Sequence, residues 1–249
     1  MNRITDTVKH LIIINVIMFI GTISIGGGQL FYEWFALYFR KNVAFQPWQV
    51  ITHMFMHGGL MHVGFNMFAL WMFGSPVEQA LGTKKFLFIY ISAGLGAVLF
   101  QLGYYYFNYI PLYSELVSSG LTGDEIIQML SSNETISGIS DNQLIKLKAA
   151  FPLFNASMVG ASGCIMGILA AFGMMNPEAK LMMIFLPIPI KAKYFIPGII
   201  ILDLISGITG QSFFSPSNTA YMAHVGGALT GFFIMWYWKK NQFNRNRWN

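Results

Sequence analysis

Residues 160–175 read Gly160-Ala161-Ser162-Gly163-Cys164-Ile165-Met166-Gly167-Ile168-Leu169-Ala170-Ala171-Phe172-Gly173-Met174-Met175, an uncharged apolar run that opens on a serine flanked by glycines. A second apolar run near the C-terminus carries His224 close to its start. Polar groups at membrane depth are functional candidates, because placing them in hydrocarbon is costly. A serine and a histidine are also the parts of an activated nucleophile and its base.

Composition places these runs in a bilayer. Hydrophobic residues make up 55% of the chain and charged residues 10%, against roughly 25% charged in ordinary soluble domains. Mean hydropathy is +0.53. So few charges cannot cover the surface of a soluble protein of this length. The single cysteine, Cys164, excludes an internal disulfide framework and a cysteine-based metal cluster. Net charge is +5, but the basic residues are dispersed beside apolar segments, so no nucleic-acid partner is expected. The fold class is therefore an all-α polytopic membrane protein in contact with the lipid bilayer.

Six stretches are long enough to span about 30 Å of hydrocarbon: residues 9–28, 57–76, 85–107, 156–175, 194–213 and 219–238. The first follows Arg3 and Lys9 as a secretory signal would. Only Gly26-Gly27-Gly28 follows it, however, so an uncleaved anchor is expected. With both termini in the cytoplasm, that side holds Arg3, Lys9, Lys84, Lys85, Lys180, Lys191, Lys193, Lys239, Lys240, Arg245 and Arg247. The outer side keeps Arg40, Lys41, Lys146 and Lys148. The positive-inside rule selects this orientation in a cell membrane. Ser162 and His224 then enter from the outer face at similar depth.

Two outer loops are long. Residues 29–56 are rich in aromatics, as expected of a segment in the membrane interface. Residues 108–155 are a polar insertion with two capping-box patterns, Thr122-x-x-Glu125 and Ser140-x-x-Gln143. Two short amphipathic helices ended by Pro152 are expected there, in an insertion read as solvated, with a substrate-gating role as the alternative. Pro187-Ile188-Pro189-Ile190-Lys191 is read as an interfacial turn, since two prolines break a helix. No separate soluble domain is visible, so residues 1–249 are read as one membrane domain.

Helical spacing adds a second polar cluster. His62 and Asn66 lie four apart on one face of the second span, at the depth of Ser162. Both carry hydrogen-bond donors, and donors aimed at developing negative charge form an oxyanion hole. The Ser162 backbone N–H is a further candidate, because the first N–H groups of a helix lack internal partners. Ala220, Gly227, Ala228 and Gly231 share the helical face of His224, while Gly160, Gly163, Gly167 and Ala170 line the fourth span. Small residues on both helices permit the close approach that a serine–histidine contact needs.

Gly160-Ala161-Ser162-Gly163, His62 with Asn66, and Ala223-His224-Val225-Gly226-Gly227 resemble the rhomboid intramembrane serine proteases. So do the run from His53 to His62 and the element Gly74-Ser75-Pro76-Val77-Glu78. The resemblance covers all six spans in order. It implies a six-transmembrane-helix rhomboid-like bundle with Ser162 as nucleophile and His224 as general base, without an acidic third member. It also implies that His62, Asn66 and the Ser162 N–H bind the oxyanion, with no cofactor and no metal. The implied partners are single-pass membrane proteins, cleaved within or beside the bilayer. A relative that binds membrane clients without cutting them is the alternative, although such proteins usually lack the serine or the histidine. A transporter is disfavoured because no inverted repeat is visible.

Two positions depart from the family pattern. Trp48-Gln49 stands where many bacterial members have Trp-Arg, which puts arginine-dependent loop contacts in doubt. Met166 stands one turn after the serine, where an aromatic ring stacks on the catalytic imidazole; a thioether can still pack there. Asp203, near the middle of the fifth span, could orient His224 as a triad acid; because the family precedent is a dyad and its expected depth is a turn or so below His224, a structural interhelical bond is the preferred reading. His53 and His57 are expected to hydrogen-bond structurally rather than bind a metal, Glu78 to be structural, and Cys164 to be a small packing residue.

Overall fold

The computed structural model describes residues 3–183, 186–213, 215–216 and 219–245. The chain is mostly helical, and helices form at each of the six predicted stretches. The first is α1 (Asp6–Ser24), which is followed by a short interfacial helix α2 (Gln29–Phe35), a two-residue strand β1 (Leu37–Tyr38) and a single helical turn α3 (Gln49–Thr52). The second stretch is a composite of α4 (Leu60–Ala69), a π turn (Leu70–Gly74) and α5 (Ser75–Leu81). The third is α6 (Thr83–Ser118).

At 36 residues, α6 is about 54 Å long. It runs past residue 107, where the sequence reading ended the span, and carries Pro111 inside it. It is thus long enough to cross the hydrocarbon with several turns to spare, and it continues as helix rather than giving way to a loop. On this projecting end sit α7 (Gly123–Ser132) and α8 (Asp141–Phe154), each opened by its expected capping box. Pro152 does not end α8; it lies in the last turn and the helix continues to Phe154. Nor is the insertion simply solvated. Leu116, Ile126, Leu130, Ala150 and Phe154 are buried with Tyr109 in a core of their own, which also takes in Phe39 from the first loop.

The chain then re-enters through β2 (Ser157–Met158), which pairs antiparallel with β1, and proceeds directly into α9 (Ser162–Met175). A hairpin of β3 (Lys180–Met183) and β4 (Leu186–Lys191) leads to α10 (Ala192–Thr209), and α11 (Tyr221–Arg245) closes the bundle. The stretch read as an interfacial turn at residues 187–191 is therefore a strand. The prolines do exclude helix, but proline is tolerated on the free edge of a two-stranded sheet. Glu178 beside this hairpin pairs with Lys191 at 2.6 Å and Lys193 at 2.5 Å. These hydrogen bonds hold its carboxyl well below the usual range, at about 2. Of the basic residues counted for orientation, Arg247 lies outside the described residues.

Among the described residues, α1, α6 and α10 are each long and apolar enough to cross a membrane. At 14 residues, α9 reaches only about 21 Å. It is shielded instead: Gly163 through Ala171 are all buried. The helices packed around it are α6 and α11, and the contacts are made by missing side chains. A Cβ added at Gly227 would overlap the Gly163 carbonyl, one at Gly231 the Gly167 carbonyl, and one at Gly167 the Ala93 methyl. Backbones in direct contact across three helices fix their relative heights, as small-residue packing does in membranes. Cys164, 1% exposed, fills the same core.

Candidate active site

Ser162 is the first residue of α9 and His224 lies in the first turn of α11. Their helices touch at the very next small residues, Gly163 against Gly227, so the two side chains enter the bundle at one level. Ser162 is half-buried, and the His224 side chain is 13% exposed. Among the described residues, no hydrogen bond joins Ser162 Oγ to His224. Contacts of this kind are commonly loose without substrate and tighten when it binds.

The turn before Ser162 is held open by Gly160. Its φ is +124°, a conformation that only glycine adopts readily. A Cβ there would lie 2.8 Å from His62 Nε2 and 3.7 Å from Asn66 Nδ2. The α4 pair therefore faces this turn, one residue short of Ala161 and the serine. Gly58 N–H donates a long 3.4 Å bond to His62 Nδ1, which places the neutral ring's proton on Nε2, the nitrogen aimed at the turn. Asn66 Nδ2 is buried and has no hydrogen-bond partner among the described residues. Two donors thus converge beside the start of α9 with their bonding capacity unspent. An unmatched buried donor is costly, which makes Asn66 the more telling of the two; His62 is half-buried.

The wall behind them is rigid. Gly160 N–H donates to the His53 carbonyl at 2.9 Å, and His53 Nδ1 bonds the Gln49 carbonyl at 2.8 Å. His57 departs from the expected hydrogen-bonding role: both its ring nitrogens are buried without a partner among the described residues, and its ring meets His62 edge-on at 5.0 Å. Gln49, standing where an arginine was expected, is fully buried and clamps the first loop. Its amide donates to Glu33 and Ala44 carbonyls at 3.0 Å each and accepts from Gln46 N–H at 3.0 Å and Tyr38 N–H at 3.4 Å. Met166 is 8% exposed and packs in the main core.

One contact is not legible in the sequence, and another resolves in favour of the less preferred reading. Gln101 of α6, 4% exposed, accepts the Ala223 N–H at 3.1 Å and so pins the turn that bears His224. Its signal was a lone amide in an apolar span. Asp203 of α10 does make an interhelical bond, but its partner is His224 itself: Oδ2 stands 2.7 Å from Nδ1. The expected offset of one turn therefore does not keep the carboxylate from the imidazole.

Set against known proteins, residues 44–241 match the family model described as "Rhomboid domain". The chain is 28% identical over 213 residues to "Presenilin-associated rhomboid-like protein, mitochondrial" of Homo sapiens, across 82% of this chain and 43% of that protein. It is 24% identical over 201 residues to "Rhomboid protein 1, mitochondrial" of Saccharomyces cerevisiae, across 81% of this chain and 44% of that one. It is also 33% identical over 88 residues to "Rhomboid protease GlpG" of Salmonella choleraesuis, covering 35% of this chain and 32% of the relative. The chain thus aligns with less than half the length of each of these relatives.

Proposed function

The chain belongs to the rhomboid family, and from that premise we propose that it is an intramembrane serine endopeptidase whose chemistry is carried by Ser162 and His224. Neutral His224 takes the hydroxyl proton through Nε2 as Ser162 Oγ attacks the scissile carbonyl. The His62 Nε2–H, the Asn66 amide and the Ser162 backbone N–H receive the developing oxyanion. Collapse of the tetrahedral species expels the amine, which takes the proton from His224. Water activated by the same imidazole then hydrolyses the acyl-enzyme.

The observation that most supports this reading is the unspent donor pair on α4, aimed at the turn that delivers Ser162. Donors held in place before reaction are the usual means of stabilising a charge that appears only in the transition state. The substrates are transmembrane or juxtamembrane segments of single-pass membrane proteins. A helix in hydrocarbon hides its carbonyls in hydrogen bonds, so cleavage needs a segment that unwinds at the site and water that reaches Ser162.

The six helical stretches are read as six spans, with α9 and the π-kinked second stretch shielded by their neighbours. Both termini are placed on the positively charged side and the site on the opposite face, from loop charge alone. Two of the three relatives above are named as mitochondrial, so the membrane reading rests on the chain's own apolar helices and a cell membrane is not assigned. A reporter fused at Asn249 checks the orientation in whichever membrane holds the protein.

Purified protein in detergent or liposomes, incubated with a model transmembrane substrate, tests the activity. Wild type is expected to cleave, with Ser162→Ala and His224→Ala each reduced to background. Equal cleavage in all three would sink the assignment. Tight substrate binding with no cleavage by folded wild type would instead establish the client-binding alternative.

A further inference from the structure

Asp203 is fully buried and bonded on both oxygens. Oδ2 meets His224 Nδ1 at 2.7 Å, and Oδ1 accepts the Ser215 hydroxyl at 2.8 Å. Ser215, itself 9% exposed, lies in the connection from α10 to α11. Among the described residues, no lysine or arginine pairs with this carboxylate. A buried carboxylate without a cation is costly unless its lone pairs are met by donors. Here the donors are one hydroxyl and the imidazole of the candidate base.

That partnership has a chemical consequence. An ionised carboxylate only accepts hydrogen bonds. The Nδ1 of His224 must therefore carry the proton when the ring is neutral, which leaves the Nε2 lone pair free. Only this tautomer can take a proton from Ser162. The geometry points to Asp203 as a positioning residue for the Ser162–His224 chemistry proposed above: it selects the His224 tautomer and holds the ring, while Ser215 holds the carboxylate. The inference rests on that reading of His224, and it adds an acidic third member to what the family resemblance implies is a dyad. The carboxylate is not consumed in the cycle. It favours the imidazolium that forms when the serine proton arrives.

Asp203→Asn separates this role from packing, because the amide keeps the shape. With its oxygen turned to the Ser215 hydroxyl, the amide presents N–H to Nδ1 and drives the ring proton to Nε2. The experiment has two arms on the same detergent-purified proteins. The first uses histidine-selective ¹⁵N labelling and NMR at a pH where His224 is neutral, with its signals assigned by their loss in His224→Ala. Wild type is expected to show the Nδ1-protonated tautomer, and Asp203→Asn to lose it. This arm needs no substrate, so it decides the role of Asp203 even if the protein cleaves nothing.

The second arm compares kcat and KM on the model transmembrane substrate. Asp203→Asn is expected to lower kcat by about 10²–10⁴-fold, as wrong-tautomer variants of serine–histidine–aspartate sites do, with KM little changed. Asp203→Glu restores the acceptor and is expected to recover part of kcat and of the Nδ1 signal. An Nε2-protonated ring in wild type, or an Asp203→Asn variant with unchanged tautomer and kcat within twofold, would overturn the inference. Loss of cleavage in Ser162→Ala beside normal cleavage in Asp203→Asn would overturn it alone and leave the protease reading standing.

Discussion

His62 and Asn66 reach the turn before Ser162 with different chemistry, and that difference can be measured. The histidine presents Nε2–H because its Nδ1 already accepts from Gly58, whereas the asparagine offers an amide nitrogen that nothing among the described residues satisfies. If both bind the oxyanion, His62→Ala and Asn66→Ala should each lower kcat by about 10²–10³-fold while changing KM little. The double variant should lose less than the product of the two, since groups that act as a unit are not additive. Steady-state kinetics on a transmembrane substrate checks both statements; a rise in KM at constant kcat would make these residues substrate-binding groups instead. At this scale most of the site was legible in the sequence. Serine between glycines and the i, i+4 pair are local patterns that survive without any knowledge of packing. Asp203 is legible as an interhelical residue with His224 as one of two candidate roles, and Gln49 only as a missing arginine. Both depend on where a side chain ends, which spacing along one helix does not contain.

The elements show a similar division. Apolar runs located every helix of the bundle, because hydrocarbon requires all backbone groups to be paired within the segment. Their ends were less visible. Aromatic and polar residues beyond position 107 read as a loop, yet α6 continues to Ser118 because α7 and α8 bury its projecting face. Phe39 joins this outer cap to the first loop; it is 2% exposed and packs edge-on against Tyr109 at 5.2 Å. Nearby, Asn42 donates to the Phe154 carbonyl at 3.0 Å. Truncating a buried phenylalanine costs about 3–5 kcal/mol, so Phe39→Ala should free both the cap and the first loop. The expected readout is rapid proteolytic nicking between α7 and α8, with the membrane helices remaining intact. Nicking no faster than wild type would show that the cap is held by other contacts.

Across the whole molecule, the N-terminal helix is tied to the bundle at the end opposite the site. Glu78 of α5 accepts from Thr5 at 2.5 Å, from Thr7, from Thr83 at 2.9 Å and from the Val8 N–H at 3.2 Å. Burial pushes this carboxyl up, but the four hydrogen bonds together outweigh it and hold it below its ordinary value of 4.5. A carboxyl depressed in the folded state contributes stability that is fully present above the unfolded value and is lost as pH falls through the folded one. Glu78→Gln should therefore melt lower than wild type at neutral pH, and the gap should close as pH drops below 4.5. A gap that persists unchanged into acid would mean that shape, and not charge, ties α1 in place.

The central claim is that a serine at the start of α9 is made nucleophilic by a histidine on α11, and covalent labelling reads it most directly. A fluorophosphonate that phosphonylates activated serines, followed by peptide mass spectrometry, should place one adduct on Ser162 in wild type and none in folded His224→Ala. An adduct on another serine, or undiminished labelling of Ser162 without His224, would contradict the account.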